Sequence, residues 1–140
     1  MSVKQISVFI ENKHGKLAEV ARYLADHDIN LKALSIADTQ DFGILRIIVD
    51  DPDKAKEVLL DGGYITKRNN VLAAALSDEP GALANILDIL AEAGVSIEYT
   101  YAFLSQKQGA YMIFRVDDNM KAAAALAAHG IKTADQNDLF

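Results

Sequence analysis

Residues Val71 to Gly94 read VLAAALSDEPGALANILDILAEAG, and residues Ile6 to Asp28 read ISVFIENKHGKLAEVARYLADHD. Gly15 aligns with Gly81 at an offset of 66 residues. The same offset pairs Leu17 with Leu83, Leu24 with Leu90, Ile29 with Val95, Leu31 with Ile97 and Gly43 with Gly109. After one inserted residue the match continues through most of the second half. The 140-residue chain is therefore an internal repeat of one structural unit.

The spacing of apolar residues divides each copy into the same segments. Ile6, Val8 and Ile10 alternate with other residues, which indicates a strand. A run beginning at Leu17 then has the periodicity of one helix face. The turn-like residues 41–43, and 106–109 in the second copy, predict a hairpin of the second and third strands. The order predicts an α+β fold with two ferredoxin-like βαββαβ units, each an antiparallel sheet with its helices on one face.

The same patterns predict the limits of the units. The first covers residues 1–67, Arg68-Asn69-Asn70 is the linker, and the second covers 71–140. The predicted second strands are 30–37 and 96–104, and the predicted fourth strands are 64–67 and 132–134. Because such small units have a high surface-to-volume ratio, we expect them to pack on each other, with their sheet edges joined.

Composition excludes several kinds of function. The net charge of −6 and the lack of a basic stripe disfavour a nucleic-acid partner. The chain has no cysteine, which excludes disulfides and thiolate chemistry. No signal-like N-terminus and no membrane-spanning apolar run is found, so we expect a soluble, cytoplasmic protein without membrane contact. No phosphate loop, dinucleotide fingerprint or metal-ligand spacing occurs, so no cofactor and no metal is expected.

Other polar and aromatic residues have structural interpretations. His27 and His129 come near predicted helix ends, where a cation is favourable. The pairs Asp50-Asp51 and Asp117-Asp118 precede helices, and capping is favoured over paired catalytic carboxylates. Tyr99, Tyr101 and Phe103 alternate along one strand face, which favours an interface or a pocket wall over RNA stacking. This stripe predicts a homodimer.

The loop between the first strand and first helix repeats a polar residue, a glycine and a leucine. These are Asn12, Gly15 and Leu17 in the first copy, and Asp78, Gly81 and Leu83 in the second. A helix N-terminus attracts a carboxylate, and Asn or Asp accepts hydrogen bonds from an ammonium group. Together they fit the two charges of a free α-amino acid. Helix capping and turn formation explain the same residues, and spacing alone favours that explanation.

The segment D-E-P-G-A-L, a helix, and then A-G-V-S-I-E-Y resembles the signature of the ACT domain. With Y-T-Y-A-F and F-R-V-D-D, the whole chain is similar to small stand-alone proteins with tandem ACT domains. This resemblance implies the βαββαβ fold and an amino-acid effector bound where two domains meet. The implied contacts are Asn12, Lys13, His14, Gly15, Lys16, Leu17, Asn30 and Leu31, and Asp78, Glu79, Pro80, Gly81, Ala82, Leu83, Ser96 and Ile97.

The two copies do not match the family pattern equally. His14 occupies a position where proline is usual and where the second copy has Pro80. Ser96 is shorter than its counterpart Asn30 and reaches less far. The two copies therefore need not form equivalent binding sites.

Three functions remain for comparison. The first is a regulatory protein that senses a free α-amino acid bound between its ACT-like units. The alternative is a regulatory subunit that contacts a metabolic enzyme and binds no ligand. An enzyme is the third, and no catalytic constellation supports it. We therefore expect a non-catalytic homodimer whose shape or association changes when the amino acid binds.

Overall fold

A computed structural model describes residues 2–38, 41–105 and 109–139. By internal contacts the chain divides into two units. One is Lys4–Asn69, and the other begins at Asn70 and includes the N-terminal residues 2–3. Both have the strand–helix–strand–strand–helix–strand order, so the predicted fold class is confirmed. The assignment of 1–67 and 71–140 as separate domains stays a prediction.

The first unit forms its sheet around its third strand. Its elements are β1 (Val3–Glu11), α1 (Lys16–Asp26), β2 (Leu31–Asp38), β3 (Phe42–Val49), α2 (Pro52–Asp61) and the start of β4 (Ile65–Leu76). β3 pairs antiparallel with β1, where Val8 lies opposite Leu45, and with β2, where Ile36 lies opposite the same residue. β2 and β3 pair as predicted, but Phe42 and Gly43 of the predicted turn lie within β3, and Thr39 and Gln40 lie outside the described residues.

Both helices of this unit pack on one face of the sheet. The core consists of Ile6, Val8, Ile10, Val20, Leu24, Ile29, Leu45, Ile47, Val49, Ala55 and Leu59. The strand members alternate along β1 and β3, and the helix members recur every three or four residues. Each fully buried branched side chain contributes about 1.5–3 kcal/mol, so this face holds the unit together.

The second unit repeats this arrangement. After β4 come α3 (Ala82–Glu92), β5 (Ile97–Ser105), β6 (Gly109–Val116), α4 (Asn119–Ala128), β7 (Thr133–Ala134) and α5 (Gln136–Leu139). β6 pairs antiparallel with β4 and β5, and β7 pairs with β4. Residues 106–108 of the predicted turn lie outside the described residues. The core is Leu72, Ala74, Ile86, Ile89, Leu90, Val95, Met112, Phe114, Val116, Ala122 and Leu126.

The residues of the predicted linker have strand backbone, and their role as a linker stays a prediction. Arg68, Asn69 and Asn70 lie inside β4, a continuous strand of 12 residues. A strand tolerates polar residues where it faces solvent. Arg68 also forms an ion pair with Asp53 at 2.6 Å. The fourth strand of the first copy therefore has no break before the first strand of the second, and the short α5 was not predicted.

The two aspartates of each pair have different hydrogen-bond partners. Asp51 and Asp118 accept hydrogen bonds from the Lys54 and Lys121 amides at 3.1 Å each, which confirms the capping prediction for these two. Asp50 and Asp117 instead accept hydrogen bonds from the Asn30 and Ser96 amides, just before β2 and β5, so capping is wrong for them.

The histidine positions are as predicted. His27 ends α1 and His129 ends α4. The Nδ1 atom of each ring lies close to a carbonyl oxygen one turn back, at 2.8 Å from Tyr23 O and 2.9 Å from Ala125 O. Each ring therefore contacts a carbonyl group in the last turn of its helix.

The aromatic stripe on β5 is mostly buried. Tyr99, Tyr101 and Phe103 share the face that lies away from the helices. Tyr101 is 9% exposed and Phe103 is 3% exposed within the single chain. These two rings therefore cannot supply free area to a second copy, and the reasoning from them to a homodimer is wrong.

Candidate functional site

The two loops between a first strand and a first helix have the same backbone conformation. Gly15 and Gly81 are the N-cap residues of α1 and α3, with φ of 83° and 86°. In each loop the first helical amide donates back to a carbonyl three residues earlier, from Lys16 to Lys13 and from Ala82 to Glu79, at 3.2 Å in both. A positive φ costs an ordinary residue roughly 1–2 kcal/mol, which explains glycine here.

Neither of these helices has a side-chain cap. No side chain accepts a hydrogen bond at the N-cap of α1 or α3. The N-cap residue of both helices is glycine, which has no side chain, whereas the sequence alone assigned capping to Asn12 and Asp78. The first amide of each helix donates within its own loop, and the positive end of the helix dipole lies at the same loop.

Both loops are open to solvent. Residues 12–15 and 78–81 are exposed, while Lys16, Ala82 and Leu83 are half-buried. Leu17 is exposed as well. The Asn12 amide donates to the Asp41 carbonyl at 3.2 Å, which ties the first loop to the start of β3. The loops therefore hold accessible polar groups on a fixed backbone.

Only some of the predicted ligand contacts at the second strands have groups that are accessible to a ligand. Asn30 and Ser96 are exposed, but Asp50 and Asp117 occupy their backbone amides at 3.2 and 3.0 Å. Leu31 and Ile97 are partly buried and pack against the two cores. The side chains of Asn30 and Ser96 are therefore the groups that face solvent at these positions.

A single unit does not bring its loop and its second strand together. The first loop lies beside Asp41, before β3, whereas Asn30 lies beside Asp50, after β3. β3 has eight residues, so the two sets lie roughly 27 Å apart at about 3.4 Å per residue. The second unit repeats this separation between Gly81 and Ser96. One small ligand could contact both sets only if different units or different chains supplied them.

Two ion pairs surround the first loop. Lys13 Nζ lies 2.7 Å from Glu11 Oε2, and its hydrogen bond and charge lower the pKa of that carboxyl. Lys16 Nζ lies 3.0 Å from Glu19 Oε2, which raises the pKa of the lysine. Glu11 and Glu19 were not among the predicted contacts. The second copy has Ser77 and Asn85 in their places, and comparing the copies for charge would have found them.

Metal and membrane sites are not indicated in the part of the chain that the structure describes. Among residues 2–38, 41–105 and 109–139, no three His, Cys, Asp or Glu side chains are grouped so that they could hold an ion. Within the same ranges, no helix has the length and apolarity needed to cross a bilayer.

Comparison with known proteins gives one family and several related structures. The family described as an ACT domain pair matches residues 1–140. No functionally curated protein matches the chain. The crystal structure of protein BT0572 from Bacteroides thetaiotaomicron is 41% identical, has a TM-score of 0.91, and the match covers 99% of this chain and 96% of that one.

More distant structures share the fold. The ligand-free regulatory subunit of aspartate kinase from Thermus thermophilus is 19% identical with a TM-score of 0.64, and the match covers 91% of this chain and 90% of that one. The corresponding subunit from Thermus flavus is 18% identical with a TM-score of 0.64, and the coverage is 89% and 88%.

Proposed function

The chain belongs to the family of ACT domain pairs, and from that premise we propose that it is a regulatory protein that binds a free α-amino acid. The ligand lies where two ACT-like units meet, at the loop of one and the second strand of another. Its carboxylate meets the early amides of α1 or α3, and its ammonium group meets Asn12 or Asp78.

The observation that carries this proposal is the uncapped, glycine-initiated helix, which occurs twice with the same geometry. The helices α2 and α4 are capped by aspartate in the same chain, so an open helix start is not a general property of this fold. An exposed polar residue precedes the glycine by three positions in both loops. An anion and a cation can thus be bound side by side.

The distance between loop and second strand supports a ligand shared by two units. Neither unit by itself offers both groups of predicted contacts to one small molecule. Binding would therefore favour one arrangement of units over another, by no more than the difference in affinity for the two. Such coupling is typically about 1–3 kcal/mol, which is sufficient for a regulatory switch.

Thermal unfolding with each common amino acid tests the proposal, because a ligand that binds the folded state raises its stability. Titration calorimetry then compares the parent with Asn12→Ala and Asp78→Ala. A lost charge-assisted hydrogen bond of about 1.5–3 kcal/mol weakens binding at least about ten-fold. Asn137→Ala and Asp88→Ala remove exposed side chains of the same types elsewhere, and should bind like the parent.

The alternative is a regulatory subunit that binds a metabolic enzyme and no amino acid. Leu34 and Ile36 favour it, because both are exposed on β2. Thermal unfolding that stays unchanged with every amino acid, together with retained binding to an enzyme partner, would favour this alternative. In either case we propose a non-catalytic, cytoplasmic homodimer. Consumption of an amino acid that a point substitution abolishes would contradict the non-catalytic role.

A further inference from the structure

A cavity of about 360 Å³ lies within the first unit. The end of β1, the start of α1, the start of β3 and the connection from α2 to β4 line it, and it is open to solvent on one side. Its lining is Phe9, Ile10, Glu11, Lys16, Glu19, Phe42, Gly62, Gly63, Tyr64 and Ile65. This volume is within the usual range for small-molecule sites. Lys16 is shared with the loop described above, whereas Asn12 and Asn30 do not line the cavity.

Three large apolar side chains around the cavity are exposed. Phe9 is 36% exposed, Phe42 is 55% exposed and Ile65 is 69% exposed. They come from three different strands and surround the same space. Apolar residues that converge on one concave surface indicate an apolar ligand group more strongly than scattered ones do.

The charged groups of the cavity favour a cation. Glu11 and Glu19 contribute two carboxylates against the single ammonium group of Lys16, so the lining has a net charge of −1. Lys13 does not line the cavity, but it pairs with Glu11 at 2.7 Å, so a cationic ligand has to displace it. The C-terminal end of α2, at Gly62 and Gly63, adds the negative end of a helix dipole. Tyr64 adds a phenol, whose pKa burial raises first and Glu19 raises further.

The present partners of the two carboxylates are exchangeable. The Glu11 pair with Lys13 is well exposed, and the Glu19 pair with Lys16 is at least one-third exposed on both sides. Such pairs contribute little to stability. A ligand ammonium group can therefore replace a lysine beside either carboxylate without a large loss.

The second unit is an internal control for these residues. The counterparts of Phe9, Glu11, Lys16, Glu19 and Tyr64 are Ala75, Ser77, Ala82, Asn85 and Ile131. The second unit forms the same strands and helices without any of those charges or aromatic rings. The fold therefore does not require these charged and aromatic residues. Because they are concentrated around one cavity, we look for a role in binding.

We propose that this cavity binds a small molecule with a primary ammonium group on an apolar body. Glu11 and Glu19 receive the ammonium group, and Phe9, Phe42 and Ile65 cover the apolar body. A ligand that also has a carboxylate places it beside Lys16. The site lies inside one unit and does not depend on the shared loop sites proposed above.

Titration calorimetry of the full chain with three probes tests this inference. The probes are 2-phenylethylamine, L-phenylalanine and 3-phenylpropionate, which carry the ammonium group alone, both charged groups and the carboxylate alone. We expect the first two to bind and the third to bind at least about ten-fold more weakly. Tighter binding of L-phenylalanine than of the amine, with the difference lost in Lys16→Ala but kept in Asn12→Ala and Asp78→Ala, identifies an amino acid as the ligand of the cavity. The reverse order identifies an amine.

The decisive variant introduces the residues of the second unit, Glu11→Ser with Glu19→Asn. It should fold, and it should bind the ammonium probes at least about ten-fold more weakly. Ile65→Lys provides an independent variant, because it places a second cation at the exposed edge of the cavity and should also weaken binding. Glu57→Gln removes an exposed carboxylate on α2 away from the lining, and should bind like the parent.

Equal binding of all three probes, or parent-like binding by both Ile65→Lys and the double variant, would overturn the inference. Asn12→Ala and Asp78→Ala separate this site from the loop sites, because they should leave amine binding unchanged. Loss of amine binding in those variants would likewise overturn a separate site. Failure of the loop sites to bind an amino acid would not affect this result.

Discussion

Asn30 and Asp50 are joined by two hydrogen bonds. The Asn30 amide donates to Asp50 Oδ1 at 3.2 Å, and the Asp50 amide donates to the Asn30 carbonyl at 3.3 Å. Ser96 and Asp117 repeat the pair at 3.0 and 3.2 Å. The start of each second strand is therefore fixed to the end of the third by a carboxylate.

Asp50→Ala and Asp117→Ala should each lower the free energy of unfolding by about 0.5–1.5 kcal/mol for every hydrogen bond lost. The first variant removes the acceptor of the Asn30 and Asp51 amides, and the second removes the acceptor of the Ser96 amide. Urea unfolding measures the loss, and Asp61→Ala, at an exposed position on α2, is the control. Hydrogen exchange should become faster at Asn30 or Ser96 in the matching variant. Unchanged exchange at both positions would contradict this role.

Asp51→Ala and Asp118→Ala should each destabilise the protein by about 1 kcal/mol, because they remove the N-caps of α2 and α4. Asp51→Ser and Asp118→Ser keep a capping oxygen and should recover most of the loss. The midpoint of urea unfolding compares the four variants. Equal destabilisation by alanine and serine would show that capping is not the cause.

Gly15→Ala and Gly81→Ala should each lower stability by about 1 kcal/mol or more, because both glycines have a positive φ. A Cβ atom at either position meets nothing within 4 Å, so the cost comes from the backbone and not from collision. Gly15→Asn should cost less, because asparagine tolerates this region. Thermal unfolding compares the stabilities of these variants. A Gly15→Asn variant that is less stable than Gly15→Ala would contradict this prediction.

The ion pair between Arg68 and Asp53 predicts a pH dependence. The Arg68 guanidinium lowers the pKa of the Asp53 carboxyl below its ordinary value of 3.8. A carboxyl with a lowered pKa in the folded state stabilises that state above pH 3.8, and its contribution is lost as the pH falls through the lower folded-state value. Arg68→Met should move the Asp53 pKa back up, as measured by NMR titration. An unchanged pKa would exclude the ion pair in solution.

Phe103→Ala should destabilise the chain by about 3–5 kcal/mol, because its ring is buried. Light scattering separates this role from an interface role. If the protein forms a homodimer, any Phe103→Ala chain that still folds should dimerise like the parent, because the ring is buried inside each chain. A folded Phe103→Ala chain that becomes monomeric, with stability like the parent, would restore the aromatic interface. A parent that is monomeric at high concentration would contradict the homodimer itself.

The sequence predicts the fold well where hydrophobic spacing and repetition agree. Ile6, Val8 and Ile10 form a core face as their alternation indicates, and the glycine at offset 66 starts the equivalent helix. The strand conformation of Arg68 to Asn70 did not follow from the sequence, because these polar residues occur in exposed strands as well as in loops. Composition does not distinguish extended from irregular backbone.

The candidate site is predictable only in part. The loops follow from their glycines, but the roles of Asp50 and Asp117 depend on pairing between strands that are distant in sequence. The cavity of the first unit depends on Phe9, Phe42 and Ile65, which lie on separate strands. In the sequence, the residues of this cavity are visible only as differences between the two copies. The repeat was recognised from the similarities between the copies, so these residues were not singled out.

Tyr23 and Gly62 are matched in size. A Cβ atom on Gly62 would lie 2.7 Å from the Tyr23 ring, whose hydroxyl donates to the Val58 carbonyl at 2.7 Å. The φ of Gly62 is −81°, so the missing side chain provides room and not backbone freedom. In the second copy, Ile89 and His129 occupy these two positions. A larger residue at 62 therefore has to be accompanied by a smaller one at 23. Tyr23 also packs beside Tyr64, which lines the cavity, with ring centroids 5.5 Å apart. Such a paired exchange would therefore remove the ring that packs against Tyr64. Substitutions at these positions should thus be strongly epistatic, and each alone should be harmful although the combination already exists elsewhere in the same chain.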